Sequence, residues 1–387
     1  MKARTTQLRG MTWEHARGYG SVAAAAEAYT RVRPEVSIHW EFRSLQAFAD
    51  QPLEGLVDDY DLLVIDHPHI PLAATNGWFA QLDGTGHDDA LALLATQSVG
   101  QSHSSYAYNG HQYGLATDAA AQVAAYRADL IAEPPREWDA VLELAREGRV
   151  LWPAKPIDAF SSLITVAANG GTPPMTEPGV FLTEEQAGPA LEILRELASL
   201  VPTDNLGWNP IQTADALSIS DRWVYSPLLF GYTNYSRVGF RANRLTYTNI
   251  PTVAGAPHGV AGSLLGGAGI AVSARSANRA EAIDHAMWLA SADVQRGAYF
   301  DGGGQPGNAV AWDDHRTNEE TLDFFRGTRA TLEGAYVRPR TPSYIELQDT
   351  LSPLVTLALQ GSLTDRQLLA RLNDTTAELL GEQHADH

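Results

Sequence analysis

The sequence predicts an α/β fold, because strand-like and helix-like segments alternate along its first part. Residues 8–13 form a short apolar strand, and an alanine-rich segment with helical spacing follows. Residues 36–42 alternate apolar and polar side chains, the period of a half-buried strand. Residues 62–65 are continuously apolar, as expected for a strand covered by helices on both faces. This order predicts βαβ units with parallel strands.

The remaining elements follow from local spacing and from residues that begin or end helices. Ser21 is the predicted N-cap of the alanine-rich helix, whose buried face carries Val22, Ala25, Ala26 and Tyr29. Helical spacing also predicts helices at 45–56, 138–147, 184–200, 277–289, 350–359 and 364–380. The carboxyl ends of the first and third strands, at residues 13–18 and 66–69, are expected to lie at one edge of the sheet, where ligands bind in open α/β sheets.

Size and charge exclude several classes of protein. The 387 residues are too many for one ordinary core, and we expect two domains. A net charge of -19 with only two lysines, Lys2 and Lys155, argues against nucleic acid and anionic membrane surfaces as partners. No apolar window approaches the ~18 residues of a membrane-spanning helix, so no membrane insertion is expected. The absence of cysteine excludes disulfides, thiolate metal sites and cysteine nucleophiles.

The N-terminus bears on where the protein works. Residues 1–13 contain basic side chains but pass directly into strand-like sequence, without the apolar stretch and cleavage site of an export signal. Two alternatives remain open from the sequence. Either a signal was removed and a new Met supplied, or the chain is native as written and cytoplasmic.

Five segments in order resemble the family 1 extracellular solute-binding proteins, many of which bind carbohydrates for ABC importers. These segments are residues 8–13, 60–66, 113–118, 266–272 and 303–306. The resemblance implies a two-lobed periplasmic-binding-protein fold of type II, with a mixed sheet flanked by helices in each lobe and hinge crossings between lobes. We expect residues 1–115 with 259–312 in the N-lobe, and residues 116–258 with 313–387 in the C-lobe.

The resemblance also implies a function. It predicts capture of a small polar ligand, a carbohydrate or related metabolite, in an interlobe cleft by hinge closure, with an ABC transporter permease as partner. It further implies a monomer that works in the periplasm or outside the cell and needs no cofactor. The alternative is an enzyme on the same scaffold, a lyase, isomerase or hydrolase that uses His and Asp in acid–base chemistry.

Candidate ligand contacts are aromatic side chains, which stack on the C–H faces of sugars, and planar polar groups, which bind hydroxyls. They lie at predicted strand ends or in loops, and the alternative for each aromatic one is core packing. The candidates of these types are Trp13, Asp66, Asp118, Trp223, Tyr225, Tyr232 and Gln305.

Two arginines are candidates for an anionic ligand. Arg17 and Arg338 present the guanidinium fork that pairs with carboxylate or phosphate. The alternative is a salt bridge within the protein, which is favoured for Arg338 because the chain contains 46 acidic residues.

Histidines are unusually frequent at the predicted sheet edge. His15, His67 and His69 are candidate ligand contacts, and with Asp66 they would be the catalytic groups of the enzyme alternative. Together with Glu14 or Asp66 they have the donor types of a zinc site, provided that Pro68 keeps residues 66–69 extended. No metal signature is present, and a hydrogen-bonding or capping role is favoured over a metal site.

Overall fold

The computed structural model describes residues 5–44 and 53–381. The strands in chain order are β1 (Thr6–Trp13), β2 (Val36–Arg43), β3 (Leu62–Ile65), β4 (Ala107–Tyr108), β5 (His111–Gln112), β6 (Gly114–Ala116), β7 (Ala120–Tyr126), β8 (Tyr225–Phe230), β9 (Thr246–Thr248), β10 (Leu265–Gly266) and β11 (Gly269–Val272).

The helices alternate with these strands in the first part of the chain and dominate its second part. In chain order they are α1 (Ser21–Val32), α2 (Leu56–Asp59), α3 (Ile70–Thr75), α4 (Asp88–Thr96), α5 (Trp138–Arg146), α6 (Pro156–Asn169), α7 (Glu184–Leu200), α8 (Pro210–Ile219), α9 (Arg279–Ala290), α10 (Ala292–Val294), α11 (Ala309–Asp313), α12 (His315–Glu320), α13 (Phe324–Glu333), α14 (Tyr344–Leu359) and α15 (Asp365–Gly381).

Contacts within the chain define two compact units, each built from two separate stretches. The first unit is Met1–Ala120 with Gly266–Glu319, and the second is Ala121–Leu265 with Glu320–His387. Each boundary lies a few residues beyond the one expected from the sequence. Residues 116–119 belong to the first unit because β6 pairs with β11 there and because Asp118 bonds to Arg17.

The first unit is organised around a mixed sheet of strand order β2-β1-β3-β11-β6. β1 pairs in parallel with both β2 and β3, while β11 runs antiparallel to β3 and to β6. The βαβ arrangement predicted for the first 65 residues is therefore confirmed. Three adjacent parallel strands, β2, β1 and β3, present their carboxyl ends at the same edge of this sheet.

β3 is buried on both faces, as its apolar run predicts. Leu62 and Val64 pack into the cluster that contains α1, whereas Leu63 and Ile65 pack into a second cluster on the other face. The predicted buried face of α1 is also confirmed, since Val22, Ala25, Ala26 and Tyr29 are all buried.

The second unit has a smaller sheet and a larger helical share. Its strand order is β10-β7-β8, and β9 pairs with β7 on an antiparallel ladder. Helices α5, α6, α7, α14 and α15 contribute to one core cluster, in which Phe160 and Phe181 stack with ring centroids 5.4 Å apart. No helix among the described residues is long and apolar enough to cross a membrane.

Helix positions agree better with the sequence than helix caps do. α5, α7, α9 and α15 lie within two residues of their predicted bounds, and α14 begins six residues before its prediction. The predicted cap at Ser21 is wrong, because a helical turn at Ala16–Gly20 already precedes it and the Ser21 hydroxyl donates backwards to the carbonyls of Arg17 and Gly18. Most of the predicted 45–56 helix lies outside the described residues.

Candidate functional site

The candidate site in the first unit begins at the edge where β2, β1 and β3 end. Met11 of β1 lies opposite Leu63 of β3 in parallel register, so the residues that follow these strands are neighbours. This confirms the expectation that the first and third strands end at one edge. Glu14 is exposed there, and His15, Asp66 and His69 are half-buried.

A π-helical turn, Ala16–Gly20, follows β1 and fixes two of the predicted site residues. His15 caps the turn, because its Nδ1 accepts a hydrogen bond of 3.0 Å from the backbone N–H of Arg17. Accepting this bond requires an imidazole whose Nδ1 is unprotonated. Single π turns of this kind occur frequently at functional sites.

Arg17 and Asp118 form a buried bidentate ion pair within the first unit. Nε and Nη2 of Arg17 each donate to one carboxylate oxygen of Asp118 at 2.6 Å. The exposed fractions of the two side chains are 5% and 0%. The fork geometry expected of Arg17 is therefore directed at a carboxylate of the protein itself.

The protonation of Asp118 is governed by burial and by its neighbours. Burial raises the pKa of its carboxyl above the ordinary value, and the nearby Asp66 carboxylate acts in the same direction. The guanidinium of Arg17 and a backbone hydrogen bond from Ala268 oppose this rise. Asp118, Asp66 and Arg17 thus form one electrostatic group at the sheet edge.

Residues 66–69 do not stay extended, and this corrects the geometry on which the metal hypothesis depended. His67–His69 is a 3-10 turn whose N-cap is Asp66, and Oδ1 of Asp66 accepts from the backbone N–H of His67 at 2.9 Å. Pro68 lies in the first turn, where its ring fits a helix start. Residues two apart in a 3-10 helix do not share a side, because successive residues are about 120° apart.

The two imidazoles consequently have different surroundings. His67 is fully buried and lies edge-on to Tyr106, with ring centroids 6.3 Å apart, whereas His69 is half-buried. Within residues 5–44 and 53–381, no group of three or more His, Cys, Asp or Glu side chains is placed to hold a metal ion.

Trp13 and Gln305 contact the protein itself. Trp13 is 5% exposed and belongs to the core of the first unit. A Cβ atom on Gly18 would lie 2.5 Å from its ring, so the following turn packs directly on the indole. Gln305 is fully buried, and its Nε2 donates to the carbonyl of Ala119 at 2.9 Å.

The second unit holds the other predicted contacts. Tyr225 is fully buried in β8, and its hydroxyl donates to the carbonyl of Pro135. Tyr232 is 9% exposed and precedes the 3-10 turn Thr233–Ser236. Trp223 is half-buried, with the guanidinium carbon of Arg222 5.6 Å from its ring centroid.

Arg338, also in the second unit, is buried, and two of its hydrogen bonds go to uncharged groups. It donates to Oε1 of Gln348 at 3.3 Å and to the carbonyl of Leu265 at 3.2 Å. These contacts tie the segment after α13 to the end of the long stretch Ala121–Leu265.

Two aromatic residues at the first-unit edge are not among the ligand contacts predicted from the sequence. Tyr19 and Phe42 meet edge to face with ring centroids 4.9 Å apart, and Phe42 is 48% exposed. Phe42 shares a strand face with Val36 and Trp40, which are both buried. A large aromatic at the carboxyl end of a strand whose earlier residues fill the core was the signal available in the sequence.

Comparison with known proteins identifies the family. Residues 45–320 match the family model of bacterial extracellular solute-binding proteins. The fold is that of two-lobed periplasmic binding proteins, as three solved structures illustrate. Maltose-bound MalE3 from T. maritima is 17% identical with a TM-score of 0.83, over 97% of this chain and 100% of that one.

The other two structures are equally complete matches. The GacH receptor of Streptomyces glaucescens, solved unliganded and with acarbose, is 15% identical with a TM-score of 0.80, over 98% of this chain and 99% of that one. An ABC transporter solute-binding protein from Agrobacterium vitis with bound D-mannitol is 15% identical with a TM-score of 0.71, over 99% of both chains. The chain belongs to the bacterial extracellular solute-binding proteins.

Proposed function

We propose that this protein captures a neutral carbohydrate or polyol and delivers it to an ABC importer outside the cytoplasmic membrane. The observation that carries the proposal is the set of polar and aromatic side chains at the carboxyl ends of three adjacent parallel strands in the first unit. His15 follows β1, Asp66 and His69 follow β3, and Phe42 lies at the end of β2.

The chemistry of this edge suits hydroxyl-rich ligands. Carboxylate and imidazole groups exchange hydrogen bonds with hydroxyls, and an exposed aromatic ring stacks on the apolar face of a sugar. The related structures from T. maritima, S. glaucescens and A. vitis contain maltose, acarbose and D-mannitol respectively. These are all polyhydroxylated molecules.

An anionic ligand is disfavoured by the same residues. The guanidinium of Arg17, a positive charge at this edge, already forms a bidentate pair with Asp118. The net charge of -19 also repels anions at long range. We therefore expect neutral solutes to bind more tightly than their carboxylated or phosphorylated derivatives.

Ligand contacts from the second unit complete the proposal. Trp223 and Tyr232 are the predicted aromatic contacts there, and hinge closure would bring residues of both units to the solute. Tyr225, Trp13 and Gln305 are buried against protein groups, so we assign them supporting positions behind the contacting side chains.

The family and the related structures support capture and give no support to the acid–base enzyme. His15 and Asp66, two groups of the enzyme alternative, cap local turns. A test must nevertheless separate binding from turnover. A binder raises its melting temperature with ligand concentration and returns the ligand unchanged.

The direct experiment is a thermal-shift screen with maltose, maltotriose, ribitol, D-tagatose and D-mannitol, followed by mass analysis of each recovered compound. We expect a saturable increase in melting temperature with at least one of them and no change in its mass. Phe42→Ala should weaken that binding about tenfold, because stacking on an exposed ring is lost. Leu93→Ala is the matched control, since Leu93 is 56% exposed on α4. Product formation, or no shift with any compound, would overturn the proposal.

A further inference from the structure

Residues 117–119, which lie just before the chain leaves the first unit, are fixed by three contacts. The chain passes into the second unit after Ala120. The carbonyl of Thr117 accepts from the backbone N–H of Gly307 at 3.0 Å, and the carbonyl of Ala119 accepts from Gln305. Between them, the carboxylate of Asp118 is paired with Arg17. Each of residues 117–119 is thus fixed by its own hydrogen bond or ion pair.

The returning segment is tied to the same point. The chain re-enters the first unit at Gly266, and Asp118 and Ala268 exchange two backbone hydrogen bonds of 2.8 and 3.2 Å. Gly267 has a φ of +100°, and a Cβ atom there would lie 2.5 Å from the carbonyl oxygen of Asp118. A side chain at Gly267 would therefore force the outgoing and returning segments apart.

The main chain of Arg17 is itself fixed, so the ion pair between Arg17 and Asp118 can hold Asp118 in place. Its backbone N–H bonds to His15, and its carbonyl accepts from the Ser21 hydroxyl at 2.8 Å. The main chain of residue 17 is thus fixed on both sides, and the guanidinium fork is oriented by its two bonds to Asp118. The bidentate pair then fixes the Asp118 side chain in position and in angle.

We propose that Arg17 is a positioning residue for solute capture, which acts through Asp118 to clamp the first-unit end of two hinge crossings. Bending during closure is thereby confined to the chain beyond Ala120 and before Gly266. The inference rests on the proposed capture function, because only closure gives the clamp a role. It assigns Arg17 and Gln305 to the hinge and removes them from the set of ligand contacts.

The variants are chosen so that the protein still folds. Replacing Asp118 alone leaves the Arg17 charge buried without a partner. The informative variant is therefore the double change Arg17→Gln with Asp118→Asn, which leaves a neutral pair of similar size. Arg17→Lys keeps the charge but loses the fork and should have an intermediate effect. Arg9→Gln with Glu41→Gln is the matched control, because this ion pair joins β1 to β2 on the exposed surface of the same unit.

Two measurements on the ligand-free protein test the clamp. The first is amide hydrogen exchange in residues 117–120 and 266–269, which we expect the double variant to accelerate about tenfold, while exchange in β3 stays unchanged. The second is a distance distribution between spin labels on Leu93→Cys and Ile219→Cys. Both sites are exposed, one in each unit, and the sequence has no native cysteine.

We expect the distance distribution to broaden in the double variant and to be unchanged in the Arg9/Glu41 control. The proposal is overturned if the double variant matches the control in both measurements. It is also overturned if exchange rises throughout the first unit, because the pair would then serve stability alone. Neither measurement uses a ligand. If no sugar bound in the thermal-shift screen, the hydrogen-exchange and distance results would therefore still test the role of Arg17 independently.

Discussion

His285 gives the sharpest stability prediction, because it is a buried imidazole without a hydrogen-bond partner among the described residues. It lies on α9 with no exposed surface, and neither ring nitrogen has a hydrogen-bond partner within residues 5–44 and 53–381. Its ring meets Tyr29 edge-on at 4.7 Å and stacks near Trp288 at 6.0 Å. His285→Phe keeps an aromatic ring in this place and removes two desolvated polar atoms.

The expected gain in folding stability of His285→Phe has a part that is independent of pH and a part that depends on pH. Relief of the unsatisfied nitrogens should stabilise the fold by about 1–3 kcal/mol at neutral pH, less any strain from the larger ring. Burial also lowers the pKa of His285 from 6.5 to about 3. As pH falls below about 6.5 the unfolded chain binds a proton that the folded chain does not, so folding stability is lost between about pH 6.5 and 3.

At pH 5 this loss is about 2 kcal/mol, since each pKa unit corresponds to about 1.4 kcal/mol. The His285→Phe variant lacks it. Urea unfolding at pH 7.5 and pH 5 should therefore show a larger advantage of the variant over the parent protein at pH 5. His315→Phe is the control, because the side chain of His315 is 83% exposed. An advantage that is equal at the two pH values, or absent at both, would refute the reasoning.

Three further predictions concern stability. Gly269→Ala should lower the free energy of unfolding by about 1–3 kcal/mol, because a Cβ atom there would lie 2.5 Å from the ring of Tyr106. Gly188→Ala in α7 should raise the free energy of unfolding by up to about 1 kcal/mol, because the new Cβ atom would meet no atom of the described residues within 4 Å. Thermal melts of both variants check these opposite signs. Thr183→Ala removes the capping box of α7 and should cost about 1 kcal/mol in urea unfolding, and an unchanged midpoint would contradict this. Burial raises the pKa of Asp158 to about 8, so the parent protein loses folding stability as pH rises from about 4 to 8. In thermal melts, Asp158→Asn should be more stable than the parent at pH 8, and this difference should vanish near pH 4. A stability difference independent of pH would be inconsistent with a buried carboxyl.

Strand and helix positions were predictable wherever burial imposes a period. The apolar run of β3 predicted burial on both faces, and alternate residues do enter two different core clusters. α7 was predicted with its observed bounds because its apolar residues recur three and four apart. In these elements the local pattern and the tertiary environment favour the same structure.

The turns at the site were not predictable, because long-range contacts and neighbouring turns decide them. The π turn at Ala16–Gly20 displaced the expected cap at Ser21. The 3-10 turn at His67–His69 follows from the cap by Asp66 and from Pro68, which fits an extended segment and a helix start equally well. The partner of Arg17 lies 101 residues away at Asp118, a pairing that no local pattern in the sequence identifies.

Domain boundaries show a related difficulty. The apolar stretch at 113–118 predicted a crossing between the lobes. The composition of such a strand does not change at the residue where its contacts pass from one unit to the other. Asp118 belongs to the first unit through its side chain, and β7 begins only two residues later. The ion pair that places residue 118 in the first unit thus depends on a partner that is remote in sequence.

The most direct test of the central claim is a calorimetric titration of the protein with maltose and with D-mannitol. The capture account predicts that at least one gives a saturable heat for one molecule per chain, with a negative heat-capacity change and no heat beyond dilution after saturation. Continued heat release after saturation would show turnover. The complete absence of binding heat with both compounds over several temperatures would contradict the assignment of neutral polyhydroxylated ligands.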